Sequence, residues 1–378
     1  MEKKLSASII IDNYNYDQFI SEAIDSALHQ SYPNVEVIVV DDGSTDSSRE
    51  IIAGYSDKII IVLKPNGGQA SAFNAGFEKC KGDMIIFLDS DDVLYPDAVK
   101  NVIEIFEKND NVSKVHWQLI VVDGKANKTG TMRPAQVPAE GDFRNRVLEG
   151  GPTSCISSPT SGNAWARSFL EKVFPVPEDM SYYRTCADEY LYTLAPVFGL
   201  VKTIAEPQGF YRIHGKNIYS ALSFDKMLQL ELEGHSQQSI ALSRILQKHG
   251  FNVDQALWLK NSWFHRLKAV IDSINEMIPA EDLFILVDDG TWDIPEYLPG
   301  RNVLPFPEEG GKYQGLPEND KHAIGELNRL IKKGASHIVF TWAAFWWLTY
   351  FTGLQDYLYT NFRCIKKDLA VIVFDLNK

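Results

Sequence analysis

Cysteine is scarce. The four residues, Cys80, Cys155, Cys186 and Cys364, stand far apart with no C-x-x-C pair. That spacing argues against a disulfide-stapled scaffold or a zinc ligand set, and it fits thiols kept reduced in the cytosol. Long apolar runs are also missing. The stretch most like a membrane span, His337 to Leu354, opens with the β-type run His337-Ile338-Val339-Phe340, and Gly353 interrupts its end before the ~20 residues a spanning helix needs. It reads as a buried strand followed by a helix. It has no basic face, and a peripheral membrane contact is left as the alternative. Met1 to Leu5 carries two lysines but no apolar signal core. Positive charge is in deficit: 37 Lys and Arg face 50 Asp and Glu, a formal net charge of -13. That balance argues against nucleic acid or an anionic bilayer as the main partner. Finally, no G-x-x-x-x-G-K-[ST] loop occurs, and no G-x-G-x-x-G follows the first strand. A phosphate-bearing ligand then needs a cation rather than a glycine-rich cradle.

The remainder is that of an ordinary globular protein, with 45% hydrophobic and 23% charged residues over 378 positions, a length that suits two domains. The most informative stretch is Met84-Ile85-Ile86-Phe87-Leu88-Asp89-Ser90-Asp91-Asp92. Five apolar residues in a row read as a strand buried on both faces. Three acids in the next four positions repel one another unless a cation neutralises them. The simpler alternative is a solvated turn, with Asp92 capping the helix that follows.

The preceding sequence repeats this pattern. Ser8 to Ile11, Val35 to Val40 and Ile59 to Leu63 are β-type runs, and helical spacing follows each of them. Alternating strands and helices predict an α/β fold with a mostly parallel sheet flanked by helices, Rossmann-like in layout. The four strand ends carry Asp12, Asp41-Asp42, Asn66 and Asp89 to Asp92, which a parallel sheet gathers on one rim, where such sheets bind ligands.

Three segments carry a resemblance: Asp12-Asn13-Tyr14-Asn15, Val37 to Val40 leading into Asp41-Asp42-Gly43-Ser44-Thr45-Asp46, and Phe87-Leu88-Asp89-Ser90-Asp91-Asp92. Together they resemble the family 2 glycosyltransferases of GT-A fold, over roughly residues 5 to 220. The resemblance implies an inverting transfer from a nucleotide-sugar donor (UDP-, GDP- or dTDP-sugar) to a glycan or glycolipid acceptor. It implies base and ribose contacts for Asp12, Tyr14 and Asp42, and a D-x-D motif in Asp89, Ser90 and Asp91. Asp91 becomes the main ligand of a divalent metal, Mn2+ or Mg2+. Asn74 matches a position where the family often has Ala-Arg-Asn, with Phe73 in place of the arginine.

Residues Gly124 to Pro159 read as a loop-rich substrate cover, after a hairpin strand from Val115 to Asp123. Cys186-Ala187-Asp188-Glu189 follows, where the family usually carries Glu-Asp, so the resemblance makes Asp188 the general base, with Ala187 replacing the glutamate. Inversion needs such a base opposite the leaving nucleotide. Glu189 competes for that role, and Asp188 as a helix cap is the structural alternative. Phe210 to Asn217 resembles the segment that closes many such domains. There His214 is a candidate for the metal shell, and Arg212 and His214 are candidates for diphosphate contacts.

The expected domains are a catalytic domain at 1–222, a helical bridge at 223–280 and a small α/β module at 281–378. The module contains Trp346-Trp347-Leu348, as do C-terminal extensions of some bacterial glycosyltransferases, and its aromatic run leaves a homodimer contact open. Leu283 to Gly290 repeats the strand-then-acid pattern, and Asp288-Asp289 reads more readily as a turn than as a second ligand site. The sequence therefore leads to a transferase of surface polysaccharide, O-antigen or glycolipid synthesis, cytoplasmic or at the inner membrane face. A non-catalytic nucleotide-sugar or glycan binder on the same scaffold is the alternative. A nucleotidyltransferase would need a basic loop where Asp12 to Asp17 supplies acids.

Overall fold

The computed structural model describes residues 4–214, 223–292 and 294–377. They form two compact units, one of residues 4–214 with 233–258, the other of 223–232 with 259–377. Residues 223–280, read from the sequence as a bridge, are divided between the two.

In the first unit strands and helices alternate: β1 (Ala7–Asn13), α1 (Ile20–Leu28), β2 (Val35–Asp41), α2 (Ser48–Ala53), β3 (Ile60–Leu63), α3 (Gln69–Lys79) and β4 (Met84–Asp89). Next come β5 (Val93–Leu94), α4 (Ala98–Lys108), β6 (Val112–Trp117), β7 (Leu119–Asp123), β8 (Lys128–Arg133), α5 (Arg144–Gly150), β9 (Asn163–Ala166), α6 (Arg167–Val173), α7 (Ala187–Phe198), β10 (Leu200–Ile204) and β11 (Gly209–Ile213). Seven strands form the main sheet in the order β10-β6-β9-β4-β1-β2-β3, with β9 running antiparallel between parallel neighbours. A smaller sheet has the order β5-β11-β7-β8. This is the expected α/β architecture, a mostly parallel sheet flanked by helices.

Side chains alternate between the faces of each strand. Ile10, Ile38, Ile85 and Phe87 pack with α3 and α7. Ile9, Ile11, Val39 and Leu88 pack with α1 and α4 on the other side. The strands are apolar on both faces because helices cover both, which is why they read as unbroken hydrophobic runs.

Three expectations are corrected. Val115 to Asp123 is not one hairpin strand: β6 lies in the main sheet and β7 in the smaller one, separated by Gln118, whose Nε2 donates to the Pro134 carbonyl (2.9 Å). The segment from Gly124 to Pro159 is not all loop, since it contains β8 and α5; every residue of β8 is exposed, so no alternation marks it. Asp92 does not cap a helix, because β5 intervenes and Asp97 occupies the N-cap of α4.

The chain continues through α8 (Phe224–Lys248), α9 (Gln255–Asn261) and α10 (Trp263–Met277). Then follow β12 (Leu283–Val287), α11 (Ile294–Tyr297), β13 (Asn302–Pro305), the short pair β14 (Glu308–Glu309) and β15 (Lys312–Tyr313), α12 (Asp320–Lys332), β16 (Ala335–Thr341), α13 (Phe345–Tyr350), α14 (Thr352–Asn361), β17 (Arg363–Lys367) and β18 (Val371–Asp375). The second unit's sheet has the order β13-β12-β16-β18-β17, its first three strands parallel. One sequence reading changes here. The helix expected after the strand that begins at His337 breaks at Phe351, and Asp320 accepts the freed Leu354 amide at the start of α14 (2.9 Å). No helix among the described residues is long and apolar enough to cross a membrane.

Candidate active site

The site begins in the sheet register. Asp12 of β1 pairs directly with Asp89 of β4, so the sheet holds the two carboxyls side by side on the face covered by α3 and α7. One Asp12 oxygen is buried without a hydrogen-bond partner. Burial, reinforced by the charges of Asp91 and Asp188, raises Asp12 to about 8. Asp89 is likewise held well above the ordinary carboxylate range, first by burial and then by Asp12, Asp92 and Asp91.

The next strand end is built differently. Asp41 accepts from Asn13 Nδ2 (3.1 Å), the Ser44 amide (3.1 Å) and Arg49 Nε (2.6 Å). Burial alone would raise its pKa, but the hydrogen bonds from Ser44, Arg49 and Asn13 outweigh that and lower it. Asp42 is committed to its own loop. It pairs with Lys64 Nζ and accepts from Asn66 Nδ2 (3.0 Å) and the amides of Gly67 (2.9 Å) and Gly68 (2.7 Å). Its carboxylate thus fixes the 64–68 loop that leads into α3. Gly68 adopts φ +87°, and a Cβ there would lie 2.8 Å from the Arg184 backbone, so only glycine fits. Tyr14 is exposed at the rim. Asn74 is not brought to the carboxylates: its Nδ2 donates to the Val176 carbonyl (2.9 Å) and Glu178 Oε1 (2.8 Å), and its Oδ1 accepts the Val176 amide (2.8 Å). Phe73, where the family often has arginine, stacks on Phe87 at 4.0 Å inside the core.

Beyond β4, Ser90 is buried, and Asp89, Asp91 and Asp92 each offer a carboxylate oxygen within 4.8 Å of the others. Burial followed by repulsion from Asp91 pushes Asp92 well above its ordinary value. Three grouped carboxylates offering hard oxygens, with Asp89 and Asp92 resisting ionisation, suit a small divalent cation, whose charge would reverse that resistance. The arrangement fits such an ion. Arg212 shapes the loop from β11: its amide donates to Asp92 Oδ1 (2.9 Å), its Nε to the Asp91 carbonyl (2.9 Å), and its outer nitrogen pairs with Glu22. Its guanidinium also lies over the Phe19 ring, 4.9 Å from the centroid. These contacts make Arg212 a clamp on the acidic loop. His214 Nε2 lies 2.9 Å from Asp91 Oδ2, its ring packed against Tyr16 and Phe19. It backs Asp91 and stands outside the three-carboxylate group. Gly215 to Asn217 of the closing segment lie outside the described residues.

Asp188 sits in the first turn of α7, with Cys186 at the N-cap, so it is not the cap. Burial raises it to about 6, against hydrogen bonds from the Glu189 backbone and the Thr160 side chain and the charge of Lys114. Its field reaches both Asp12 and Asp89. Glu189, the competing candidate, is engaged elsewhere: its Oε2 accepts from the Tyr182 hydroxyl (2.9 Å) and Gln238 Nε2 (2.6 Å).

Several contributors gave no local signal. Gln69 ties the site together, donating to Asp89 (3.3 Å) and accepting the Ala187 amide (2.9 Å). Ser161 Oγ accepts the Asp89 amide (3.1 Å). Lys114, buried in β6, donates to Ser157, has the rings of Trp165 and Tyr192 within 5.6 Å, and is lowered by burial to about 7. A lysine, Lys114, within a strand whose every residue is buried is the one feature that sets it apart.

Residues 8–163 match the sequence profile described as Glycosyl transferase family 2. A Nostoc sp. protein named as an uncharacterized glycosyltransferase is 38% identical over 63% of this chain and 73% of its own length. The chain belongs to the family 2 glycosyltransferases. A second glycosyltransferase of this kind, from Rickettsia prowazekii and also uncharacterized, is 42% identical over 34% of the chain and 41% of its own length. The chain thus spans well under half of that relative. Among solved structures, S. aureus TarS 1-349 in complex with UDP-GlcNAc overlays with a TM-score of 0.49 at 15% identity, covering 73% of this glycosyltransferase and 77% of TarS 1-349.

Proposed function

We propose that this glycosyltransferase moves a sugar from a nucleotide-sugar donor to a hydroxyl of a glycan or glycolipid, with inversion, and that Asp188 is its general base. The observation that carries the reading is a carboxylate raised to about 6 in the first turn of α7, the helix whose Ala187 amide Gln69 links to Asp89. A base works best when its pKa approaches the working pH, which an ordinary surface aspartate does not. Asp188 takes the proton of the acceptor hydroxyl as that oxygen bonds to the anomeric carbon. The bond from that carbon to the diphosphate oxygen breaks on the opposite face, and the nucleoside diphosphate carries the electron pair away.

Asp89, Asp91 and Asp92 would hold a divalent cation, Mn2+ or Mg2+. When bound, it supplies positive charge to the donor's diphosphate. Arg212 and His214 support this role by fixing the loop and Asp91. Gln69 and Thr160 position Asp188 relative to Asp89. Tyr14, exposed at the rim, is available to a base or ribose, while Asp42 acts through the 64–68 loop. Four free thiols support action in the cytoplasm, on an acceptor of surface polysaccharide, O-antigen or glycolipid synthesis.

The test is hydrolysis and transfer with a panel of UDP-, GDP- and dTDP-sugars, with and without Mn2+. Asp188→Asn is expected to keep donor binding and lose transfer. Full transfer by that variant would remove Asp188 from the role, and failure to bind any donor would overturn the reading as a whole.

A further inference from the structure

The second unit repeats the construction on which the first is built. Strands β12 and β16 are parallel neighbours, with Val287 paired to Phe340. Continuing that register sets Asp288 opposite Thr341 at the carboxyl edge. The chain leaves β12 through the segment carrying Trp292, Tyr297 and Leu298, which packs on one face of the sheet. It leaves β16 through α13 and α14, and Trp347, Leu354 and the intervening Phe351 pack on the other. Adjacent parallel strands whose connections depart over opposite faces open a crevice between their ends, and open α/β sheets bind ligands there.

Two side chains at or just beyond these strand ends carry polar atoms that the fold leaves unmatched. Thr341 is fully buried, and its hydroxyl has no hydrogen-bond partner. The Trp292 indole nitrogen is also buried and unpartnered. Native interiors seldom leave such groups unmatched, so each calls for an explanation. Asp288 accepts the amides of Trp292 (2.8 Å) and Gly290 (3.3 Å), and no lysine or arginine pairs with it among the described residues. Trp292 is also one of four rings that form a closed circuit, which includes Trp342, the residue after Thr341. Trp292, Trp342, Trp263 and Tyr297 lie 5.8 to 6.1 Å from their neighbours, with planes inclined by 58° to 80°.

We propose that this crevice is a second ligand site, separate from the transfer site, and that it binds an uncharged polyhydroxylated ring. A hydroxyl both accepts from an indole N–H and donates to a carboxylate or a threonine oxygen, so one kind of group answers all three side chains. The apolar face of a sugar ring suits the surrounding aromatics. An organic cation would suit the rings and Asp288 but would leave the Trp292 N–H unmatched. The pyranose of a neutral glycan and the ribose of a nucleoside share this chemistry.

Calorimetry on the full chain separates the two sources, with cellobiose and chitobiose in one arm and uridine and adenosine in the other. Tetramethylammonium serves as the cation control. One arm is expected to bind, and Thr341→Val to weaken that binding about tenfold, the loss of one hydrogen bond. Trp342→Ala is expected to weaken it further, while Asp91→Asn, aimed at the first unit, leaves it unchanged. Thr341→Val removes an unmatched buried hydroxyl at nearly constant shape, so the ligand-free melting temperature is expected to hold or rise; a structural hydroxyl would lower it. Binding of tetramethylammonium alone, no binding in either arm, or binding indifferent to both substitutions in the second unit would overturn the proposal. Donor hydrolysis by Thr341→Val is expected at the parent rate, which keeps the outcome independent of the transfer reading.

Discussion

The raised pKa of Asp188 makes a quantitative claim about rate. With a value of about 6, the carboxylate is roughly 90% ionised at pH 7 and roughly 10% at pH 5. If Asp188 is the base, kcat/KM falls about tenfold between those two points and continues to fall about tenfold per unit below. An aspartate with an ordinary pKa of about 3.9 would stay more than about 90% ionised at pH 5 and would show almost no loss. The assay is initial-rate transfer at subsaturating donor from pH 4.5 to 8, at constant ionic strength, with donor binding measured in parallel. Lys114 gives the second perturbation. Its positive charge lowers Asp188, so Lys114→Met is expected to move the acid limb toward higher pH. An acid limb near pH 4 in the parent protein, or one that ignores Lys114→Met, would refute the reasoning. The same shift bears on stability. The unfolded carboxylate ionises first, so the folded state loses stability as pH rises from the ordinary 3.8 through about 6.

Asp91→Asn removes one of three grouped carboxylates and is expected to weaken Mn2+-dependent donor binding by tenfold or more, on the order of the loss of a charged ligand contact; calorimetry with and without Mn2+ reads it, and unchanged binding would count against the metal assignment. Gly68→Ala places a Cβ 2.8 Å from Arg184 backbone atoms at φ +87°, and is expected to cost about 1–3 kcal/mol in denaturant unfolding. In the second unit, Glu308 accepts from Lys333 (2.6 Å), Arg329 (2.9 Å) and the Gly311 amide (2.6 Å), and these bonds hold it down at about 2. Glu308→Ala is therefore expected to destabilise that unit by roughly 1–3 kcal/mol at pH 7. In the parent protein, this contribution is present above the ordinary value of 4.5 and is lost as pH falls toward about 2, a course that pH-dependent unfolding measures.

What was legible in the sequence was local. Each strand of the parallel core announced itself by an apolar run, and Asp12, Asp89 and Asp91 by their place at the ends of those runs. The smaller sheet was harder to see. Its edge strand β8 is exposed at every residue, and β7 follows β6 with only Gln118 between them. The roles of Asp42, Asn74 and Arg212 depend on partners far along the chain. Asp42 looks like its neighbour Asp41 in sequence, yet it is saturated by a loop more than twenty residues on. Arg212 reads as a phosphate ligand until its guanidinium is found on Glu22 and the Asp91 carbonyl. Gln69, Thr160 and Ser161 are unremarkable residue types whose importance comes from three segments meeting at one point, and no spacing rule encodes such a meeting.

The pairing of Asp12 with Asp89 limits how this chain can diverge. Both positions belong to the hydrogen-bonded ladder itself, where side chains point alternately to opposite faces. Inserting a residue within β1 or β4 would turn one carboxyl to the α1–α4 side and put Ile11 or Leu88 in its place, and deleting one would bring Asn13 or Ser90 there instead. Descendants of this sequence are therefore free to lengthen the 124–159 segment or exchange its chemistry, while the residue count of these two strands stays frozen.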